Sequence, residues 1–126
     1  MNVNTTNIAL PGCISTLVHR LNIMYTPDLI VLFGSYVNGN VTMKSDVDLL
    51  IVLPTVVDAD ELARRRTQLT ARLFPRIDLV ISSREELEYA HGQRAAFLRS
   101  VLEHGRVLIG SMPNSLKHWL EVLPHD

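Results

Sequence analysis

Apolar residues fall into three short runs in the first two thirds of the chain. Residues 29–33 and 47–53 are each long enough for a β-strand and contain β-branched side chains. Residues 76–82 form a third run, in which Asp78 is the one acidic residue. The segment between the first two runs is polar and contains glycine and asparagine, which favours a loop. The pattern therefore predicts three strands, with a polar loop between the first and the second.

Two stretches in the same part of the chain have the spacing of helices. Pro11 suits a first helical turn, and the apolar residues after it predict an amphipathic helix over 11–24 that covers the sheet. A second helix is predicted from residue 58 to about 74, because acidic residues precede a run of arginines, as the helix dipole favours. The arginines form either a solvated face or a contact with an acceptor. A helix between two strands predicts that the third strand lies parallel to the second, beside it or beside the first.

The region after the third strand is predicted to be mostly helical. Ser83 and Glu86 have the spacing of a capping box, so a helix should begin there, and Gly92 should interrupt it. The next helix carries an apolar face that includes Phe97 and ends at Gly105. The apolar residues that follow predict a short fourth strand over 107–109.

These elements predict one domain over residues 1–126, with its core at about 28–110. We expect an α/β (α+β) fold, in which a small mixed sheet of three to four strands is flanked by helices. Residues 114–123 predict a last helix with an apolar stripe. That stripe either covers the core or docks against another chain, so self-association stays open.

Two acidic residues stand at the start of the second strand. Side chains alternate along a strand, so the carboxylates of Asp46 and Asp48 should share one face, roughly 6–7 Å apart, while Val47 points to the other. Like charges this close repel, and burial adds to the cost unless a cation lies between them. Oxygen ligands favour a hard divalent ion such as magnesium. The pattern predicts a metal site that faces the polar loop.

Composition limits the partners and the compartment. The chain has 126 residues and a formal net charge of −1, which gives it no bulk attraction to a long nucleic acid. The single cysteine, Cys13, cannot form an internal disulfide and suits a reducing compartment. We see neither a signal-peptide pattern at residues 1–9 nor an apolar run long enough to span a bilayer. We expect a cytoplasmic protein without a membrane partner.

The spacing around the polar loop resembles a known family signature. Gly34-Ser35 is followed by ten residues and then by the acidic pair, as in minimal nucleotidyltransferases of the DNA polymerase β-like superfamily. Gly39 and Ser45 match further positions of that pattern. The family often has arginine before the loop glycine, where this chain has Asn38. The resemblance implies a polymerase β palm-like fold and a nucleotide-binding loop.

The same resemblance assigns roles to eight residues. Asp78 matches the third carboxylate of the family, so the catalytic and metal-binding set is Asp46, Asp48 and Asp78 with two magnesium ions, or manganese in their place. Whether Asp78 is a metal ligand, a general base or both stays open. The implied nucleotide-binding residues are Gly34, Ser35, Gly39, Lys44 and Ser45.

The resemblance also implies a reaction, which is transfer of a nucleoside monophosphate, AMP from ATP above all, onto a hydroxyl. Small stand-alone members resemble antitoxins that adenylylate a tyrosine of a HEPN-type toxin, so we expect a protein acceptor of that kind. Two alternatives stay open. One is an antitoxin with weak catalysis that acts by binding its partner. The other is transfer to a small molecule such as an aminoglycoside, although no sequence here suggests a substrate domain.

Overall fold

A four-stranded mixed sheet forms the centre of the protein. The structure is a computed structural model, and it describes residues 10–110. The strands are β1 (Leu29–Phe33), β2 (Val47–Leu53), β3 (Ile77–Ser83) and β4 (Arg106–Ile109). Their order is β3-β2-β1-β4, with β1 antiparallel to both β2 and β4, and β2 parallel to β3. The predicted mixed sheet is confirmed, and the third strand lies beside the second.

Five helices surround this sheet within residues 10–110. They are α1 (Gly12–Met24), α2 (Ser35–Asn38), α3 (Ala59–Thr70), α4 (Arg84–Tyr89) and α5 (Gly92–His104). The short α2 lies inside the segment that was predicted as a polar loop. The structure also shortens α3, which was predicted to extend to about residue 74. It ends at Thr70 because the backbone leaves the helical region at Ala71, where ψ is 127°, and Arg72 follows in the left-handed region with φ of 63°.

The start of α4 confirms the serine part of the predicted capping box. The Ser83 hydroxyl accepts a hydrogen bond from the amide of Glu86 at 3.0 Å. The Glu86 carboxylate is engaged elsewhere, because it accepts from the Ser82 hydroxyl and pairs with Arg94 at 3.1 Å. Gly92 has φ of 63° and separates α4 from α5, as predicted.

The two faces of the sheet are covered by different helices. On the first face, side chains of α1 and α3 pack against the strands, and Leu17 and Leu49 are fully buried there. On the second face, α4 and α5 pack over Leu50 and Val52. Asp48 shares this second face because it alternates in step with Leu50. We call them the α1/α3 face and the α4/α5 face.

Some predicted features lie beyond the described residues. The predicted helix at 114–123 and the N-terminal residues 1–9 fall outside them. Within residues 10–110, no helix combines the length and the apolar character that crossing a membrane requires.

Candidate active site

One row of side chains crosses the sheet on the α4/α5 face. Phe33 of β1 pairs in register with Asp48 of β2, which pairs in turn with Asp78 of β3. Register partners in neighbouring strands point to the same face, so both carboxylates lie on one side. Asp46 precedes Asp48 by two residues, and Val47 between them is fully buried. This burial agrees with the predicted alternation.

The three carboxylates influence one another electrostatically. The pKa of Asp48 is raised above its ordinary value, first by burial and then by the negative charges of Asp78 and Asp46. Asp78 has one cation nearby, since the Arg76 guanidinium lies 3.4 Å from its Oδ1. That pair is open to solvent, because 46% of the Asp78 side chain is exposed. The site therefore concentrates negative charge that its own side chains compensate only in part.

Gly34 brings the bend after β1 against this acidic group. Its φ is 78° and its ψ is −149°, a conformation that is essentially restricted to glycine. A Cβ atom at this position would lie 2.3 Å from Oδ2 of Asp48, well inside van der Waals contact. The family resemblance implies that Gly34 belongs to the nucleotide-binding loop. In the structure, a side chain at this position would collide with the carboxylate of Asp48.

A cleft of about 920 Å³ opens over the acidic row. The carboxylates of Asp46, Asp48 and Asp78 line it, and so do three cations from surrounding elements. Those cations are Lys44, Arg66 and Arg76. Clefts of this size hold drug-sized ligands, and a nucleoside triphosphate fits the combination of carboxylates and cations.

Comparison with known proteins identifies the family of this chain. A family model described as a nucleotidyltransferase domain matches residues 14–109. The chain belongs to the nucleotidyltransferase family. It is similar to a protein of Methanocaldococcus jannaschii that carries the name "putative protein adenylyltransferase". The two are 42% identical over 79 residues, which are 63% of this chain and 75% of the relative. The chain is thus a nucleotidyltransferase enzyme.

Solved structures show the same fold as this nucleotidyltransferase. A chain from a crystal structure of a toxin–antitoxin with AMP-PNP aligns with a TM-score of 0.61 and 22% identity, covering 85% of this chain and 80% of its own length. A chain from the complex of a tri-AMPylated Shewanella oneidensis HEPN toxin with an MNT antitoxin aligns with a TM-score of 0.56 and 20% identity. That alignment covers 86% of this chain and 77% of the other.

The polar segment between β1 and β2 begins with the short helix α2. Ser35 is the first residue of this helix, the buried Tyr36 anchors it, and Gly39 ends it in the left-handed conformation with φ of 82°. No periodic pattern could reveal a helix of four residues. The candidate residues Gly34, Ser35 and Gly39 are therefore the N-cap, the first residue and the C-cap of one short helix that begins beside Asp48.

A tight turn leads from α2 to the acidic pair. The Ser45 hydroxyl accepts a hydrogen bond from the Thr42 amide at 2.7 Å, and the Ser45 amide donates to the Thr42 carbonyl at 3.1 Å. Ser45 thus orders the turn that precedes Asp46. Lys44 is exposed and lines the cleft, and its amide donates to the Thr42 hydroxyl at 3.2 Å. These contacts show that Ser45 orders the turn, while Lys44 lies in the turn at the edge of the cleft.

Sequence reasoning missed several residues of the site. Arg76 stands two residues before Asp78, so strand alternation could have placed it on the same side. Arg66 donates a hydrogen bond to the Leu79 carbonyl of β3. The sequence of the predicted helix 58–74 does not indicate which of its arginines makes this contact. Phe97 was predicted on an apolar helix face, yet it remains 38% exposed and lines the cleft.

The three aspartates have suitable oxygen atoms for a divalent cation, but their side chains are not arranged around a common point. Within residues 10–110, no group of three or more His, Cys, Asp or Glu side chains is arranged to hold a metal ion. The oxygens of Asp46, Asp48 and Asp78 nevertheless have the chemistry that magnesium prefers. Burial and the charges of Asp78 and Asp46 raise the pKa of Asp48, and a cation beside this carboxylate would oppose both effects. The residues therefore suit an ion that arrives with the phosphates of a nucleotide.

Proposed function

We propose that this enzyme is a metal-dependent protein adenylyltransferase that transfers AMP from ATP to a hydroxyl of a protein acceptor. We further propose that it is the antitoxin partner of a HEPN-type toxin, and that this toxin is the acceptor. The similarity to a named protein adenylyltransferase supports the activity, and the fold shared with antitoxins in toxin complexes agrees with the partner.

The observation that carries the proposal is the contact between the Gly34 bend and Asp48. The main chain at Gly34 approaches the carboxylate so closely that no Cβ fits between them. A triphosphate bound along the bend at Ser35 would then have its oxygens next to the acids. Nucleotidyl transfer requires this proximity, because the charge on the phosphates must be neutralised while the acceptor is aligned.

Each acidic residue has a role in this proposal. Asp46 and Asp48 would hold a magnesium ion together with the triphosphate, and Asp78 would join them in holding a second. Such ions neutralise charge on the phosphates and lower the pKa of the acceptor hydroxyl. The acceptor oxygen bonds to the α-phosphorus, the bond to the bridging oxygen breaks, and pyrophosphate leaves. Asp78, whose side chain is 46% exposed, would also be able to take the hydroxyl proton.

The surroundings of the cleft support a protein acceptor. Phe74 and Met43 line the cleft and are 85% and 100% exposed. Exposed apolar side chains beside a charged site are a common feature of surfaces that contact proteins. They would receive the segment around an acceptor hydroxyl.

Transfer of labelled AMP tests the proposal. The purified chain is incubated with ATP labelled at the α-phosphate, magnesium and the HEPN-type protein encoded by the neighbouring gene. We expect label on that protein, none after chelation with EDTA, and near-normal labelling by Asp60→Asn, an exposed acid on α3. Absence of label from every protein would contradict the enzymatic proposal. Full neutralisation of the toxin by a triple Asp46→Asn, Asp48→Asn, Asp78→Asn variant would favour an antitoxin that acts by binding.

A further inference from the structure

An apolar cavity opens at the end of the sheet away from the acidic residues, and we propose that it binds residues 114–123 of the same chain. The cavity has a volume of about 310 Å³. Its apolar lining, which we call the distal surface, consists of Leu53, Val56, Val57, Leu62 and Ile81. Val56 is 63% exposed, so the distal surface is open to solvent among the described residues.

The distal surface is separate from the candidate active site. Leu53 and Ser83 are register partners at the last positions of the parallel strands β2 and β3, and both line the cavity. Asp48 and Asp78 are register partners nearer the start of the same strands. The two pairs are five positions apart, which corresponds to roughly 16 Å along a strand. An occupant of the distal surface would therefore leave the acidic row uncovered.

More apolar surface adjoins the cavity. Pro54 follows Leu53 in the chain and lines a shallow depression together with Tyr89 of α4. Tyr89 is 73% exposed. Two acidic residues of α4, Glu85 and Glu88, line the same depression. Apolar side chains that are grouped at the surface and bordered by charged ones commonly mark a place where another segment or chain packs.

The described residues end close to this surface. Strand β4 runs in the same direction as β2, because both are antiparallel to β1. At the end of β4, a Cβ atom on Gly110 would lie 2.0 Å from the carbonyl oxygen of Asp28, whose amide donates to the Val52 carbonyl at 2.9 Å. Gly110 is therefore about two strand spacings from the end of β2, roughly 10 Å. The three residues that precede residue 114 can span this distance when extended.

The segment complements the distal surface in polarity and in charge. Its apolar residues recur at helical spacing, and they are Leu116, Trp119, Leu120 and Leu123. A helix of ten residues is about 15 Å long, which suffices to cross the ends of β2 and β3, spaced roughly 5 Å apart. Lys117 lies among these apolar residues and would pair with Glu85 or Glu88. Attachment through β4 gives the segment a high effective concentration at the surface, which favours it over a free partner.

Tryptophan fluorescence of the full chain tests the proposal, because Trp119 is its single tryptophan. We expect emission at shorter wavelength than that of the urea-unfolded chain, and protection from quenching by acrylamide, at concentrations where sedimentation shows a monomer. Val56→Glu puts a charge on the distal surface, where burial under an apolar segment would be costly. Its emission should shift to that of the unfolded chain, and acrylamide quenching should rise. Tyr89→Glu, on the adjoining depression, should shift the emission in the same direction.

Two other exposed valines provide matched controls. Val107→Glu and Val41→Glu make the same substitution at side chains that are 42% and 41% exposed. Val107 belongs to β4, from which the segment continues, and Val41 lies in the polar segment that leads to the acidic pair. Both variants should keep the wild-type emission and quenching. Circular dichroism of each variant verifies the fold, which substitutions at exposed positions should preserve.

Four results would overturn the proposal. The first is wild-type emission equal to that of the unfolded chain, and the second is unchanged emission in both Val56→Glu and Tyr89→Glu. A red shift in Val107→Glu alone would place the segment on the edge of β4. A red shift of the wild type on dilution, together with dissociation of a dimer in sedimentation, would assign the distal surface to a second copy of the chain. None of these measurements depends on nucleotide transfer, so they leave the proposed function untouched.

Discussion

The two faces of the central sheet show different solutions to packing. The α1/α3 face is apolar along the strands, and α1 seals it with side chains such as Leu17 that are inaccessible to solvent. The α4/α5 face has the same alternation and begins as a core at Val52 and Leu50. Two residues before Leu50, near the start of β2, the position that would hold the next core side chain is occupied by Asp48. At this level of the sheet the α1/α3 face is still apolar core, whereas the α4/α5 face carries the acidic residues of the candidate site.

The α1/α3 face stabilises the fold, whereas the acidic part of the α4/α5 face reduces its stability. Burial of apolar side chains on the α1/α3 face lowers the free energy of the fold. On the α4/α5 face, Asp48 is partly desolvated beside Asp46 and Asp78, an arrangement that raises its pKa and destabilises the charged form. A structure gains nothing from three acids so arranged. A site that binds a cation and phosphates does gain from them, which favours a catalytic role.

Removal of a core side chain from the α1/α3 face should have the largest effect. Leu17→Ala deletes fully buried methyl groups and leaves a cavity, so we expect it to lower the free energy of unfolding by about 2–5 kcal/mol. The rate of AMP transfer at a temperature where the variant is folded should stay near the wild-type rate. Denaturant unfolding and the transfer assay measure the two quantities. Ile23→Ala, at a 71% exposed position on the same helix, is the control and should change stability by less than about 0.5 kcal/mol.

Removal of a charge from the α4/α5 face should reduce transfer and leave the fold intact, which is the opposite of the effect of Leu17→Ala. Asp46→Asn or Asp48→Asn keeps the volume but removes a carboxylate, so we expect transfer to fall at least roughly 10²–10³-fold, about 2.7–4 kcal/mol. The fold should persist, and Asp60→Asn should retain transfer. Initial rates with labelled ATP give the comparison. Near-wild-type turnover in either site variant would overturn the assignment of the acids.

A methyl group at the bend should disturb both the site and the stability. Gly34→Ala forces a Cβ against Oδ2 of Asp48 and strains a conformation restricted to glycine, with an expected cost of about 1–3 kcal/mol. Transfer should fall as well, because Asp48 must move. Gly39→Ala is the matched control, since it also has a positive φ but nothing within 4 Å of the added Cβ. If both variants transferred equally well, the close approach of bend and carboxylate would have no catalytic importance.

The smallest expected effect is a gain of stability at Asp48. The pKa of Asp48 is raised in the folded chain from its ordinary value of 3.8. Between pH 3.8 and the raised pKa, the folded state therefore binds more protons than the unfolded state. Stability is therefore lost as the pH rises through the interval, and the loss persists at neutral pH. Asp48→Asn should raise the free energy of unfolding slightly at pH 7 and leave it unchanged at a pH below 3.8. Unfolding curves at both pH values check the sign, and an equal or lower stability at pH 7 would contradict it.

Elements with a strong local period could be predicted from the sequence. Strands β1 and β2 have the predicted bounds of 29–33 and 47–53. Asp46 precedes β2, and it lines the same cleft as Asp48. The parallel placement of β3 follows from the helix that connects it to β2. The register that sets Asp78 opposite Asp48 depends on pairing between strands, and no property of either segment alone specifies it.

The remaining features depend on contacts between distant residues. The helix α3 ends early, at Thr70, and the Arg20 guanidinium from α1 donates to the carbonyls of Leu69 and Ala71 at 2.8 and 2.9 Å. Such tertiary hydrogen bonds satisfy carbonyls at a helix end and leave no trace in a local pattern. The same limit hid Phe97, because an apolar residue at helical spacing looks alike in a core and in the wall of a cleft.

Thermal unfolding with and without a magnesium nucleotide tests most directly whether the three acids form a site for a cation carrying phosphates. A non-hydrolysable ATP analogue with magnesium should raise the melting temperature of the wild type, since a ligand that binds the folded state alone stabilises it. The analogue with EDTA should raise it much less, and the triple Asp46→Asn, Asp48→Asn, Asp78→Asn variant should show no magnesium-dependent rise. An equal rise in the triple variant, or one that is indifferent to EDTA, would contradict the assignment.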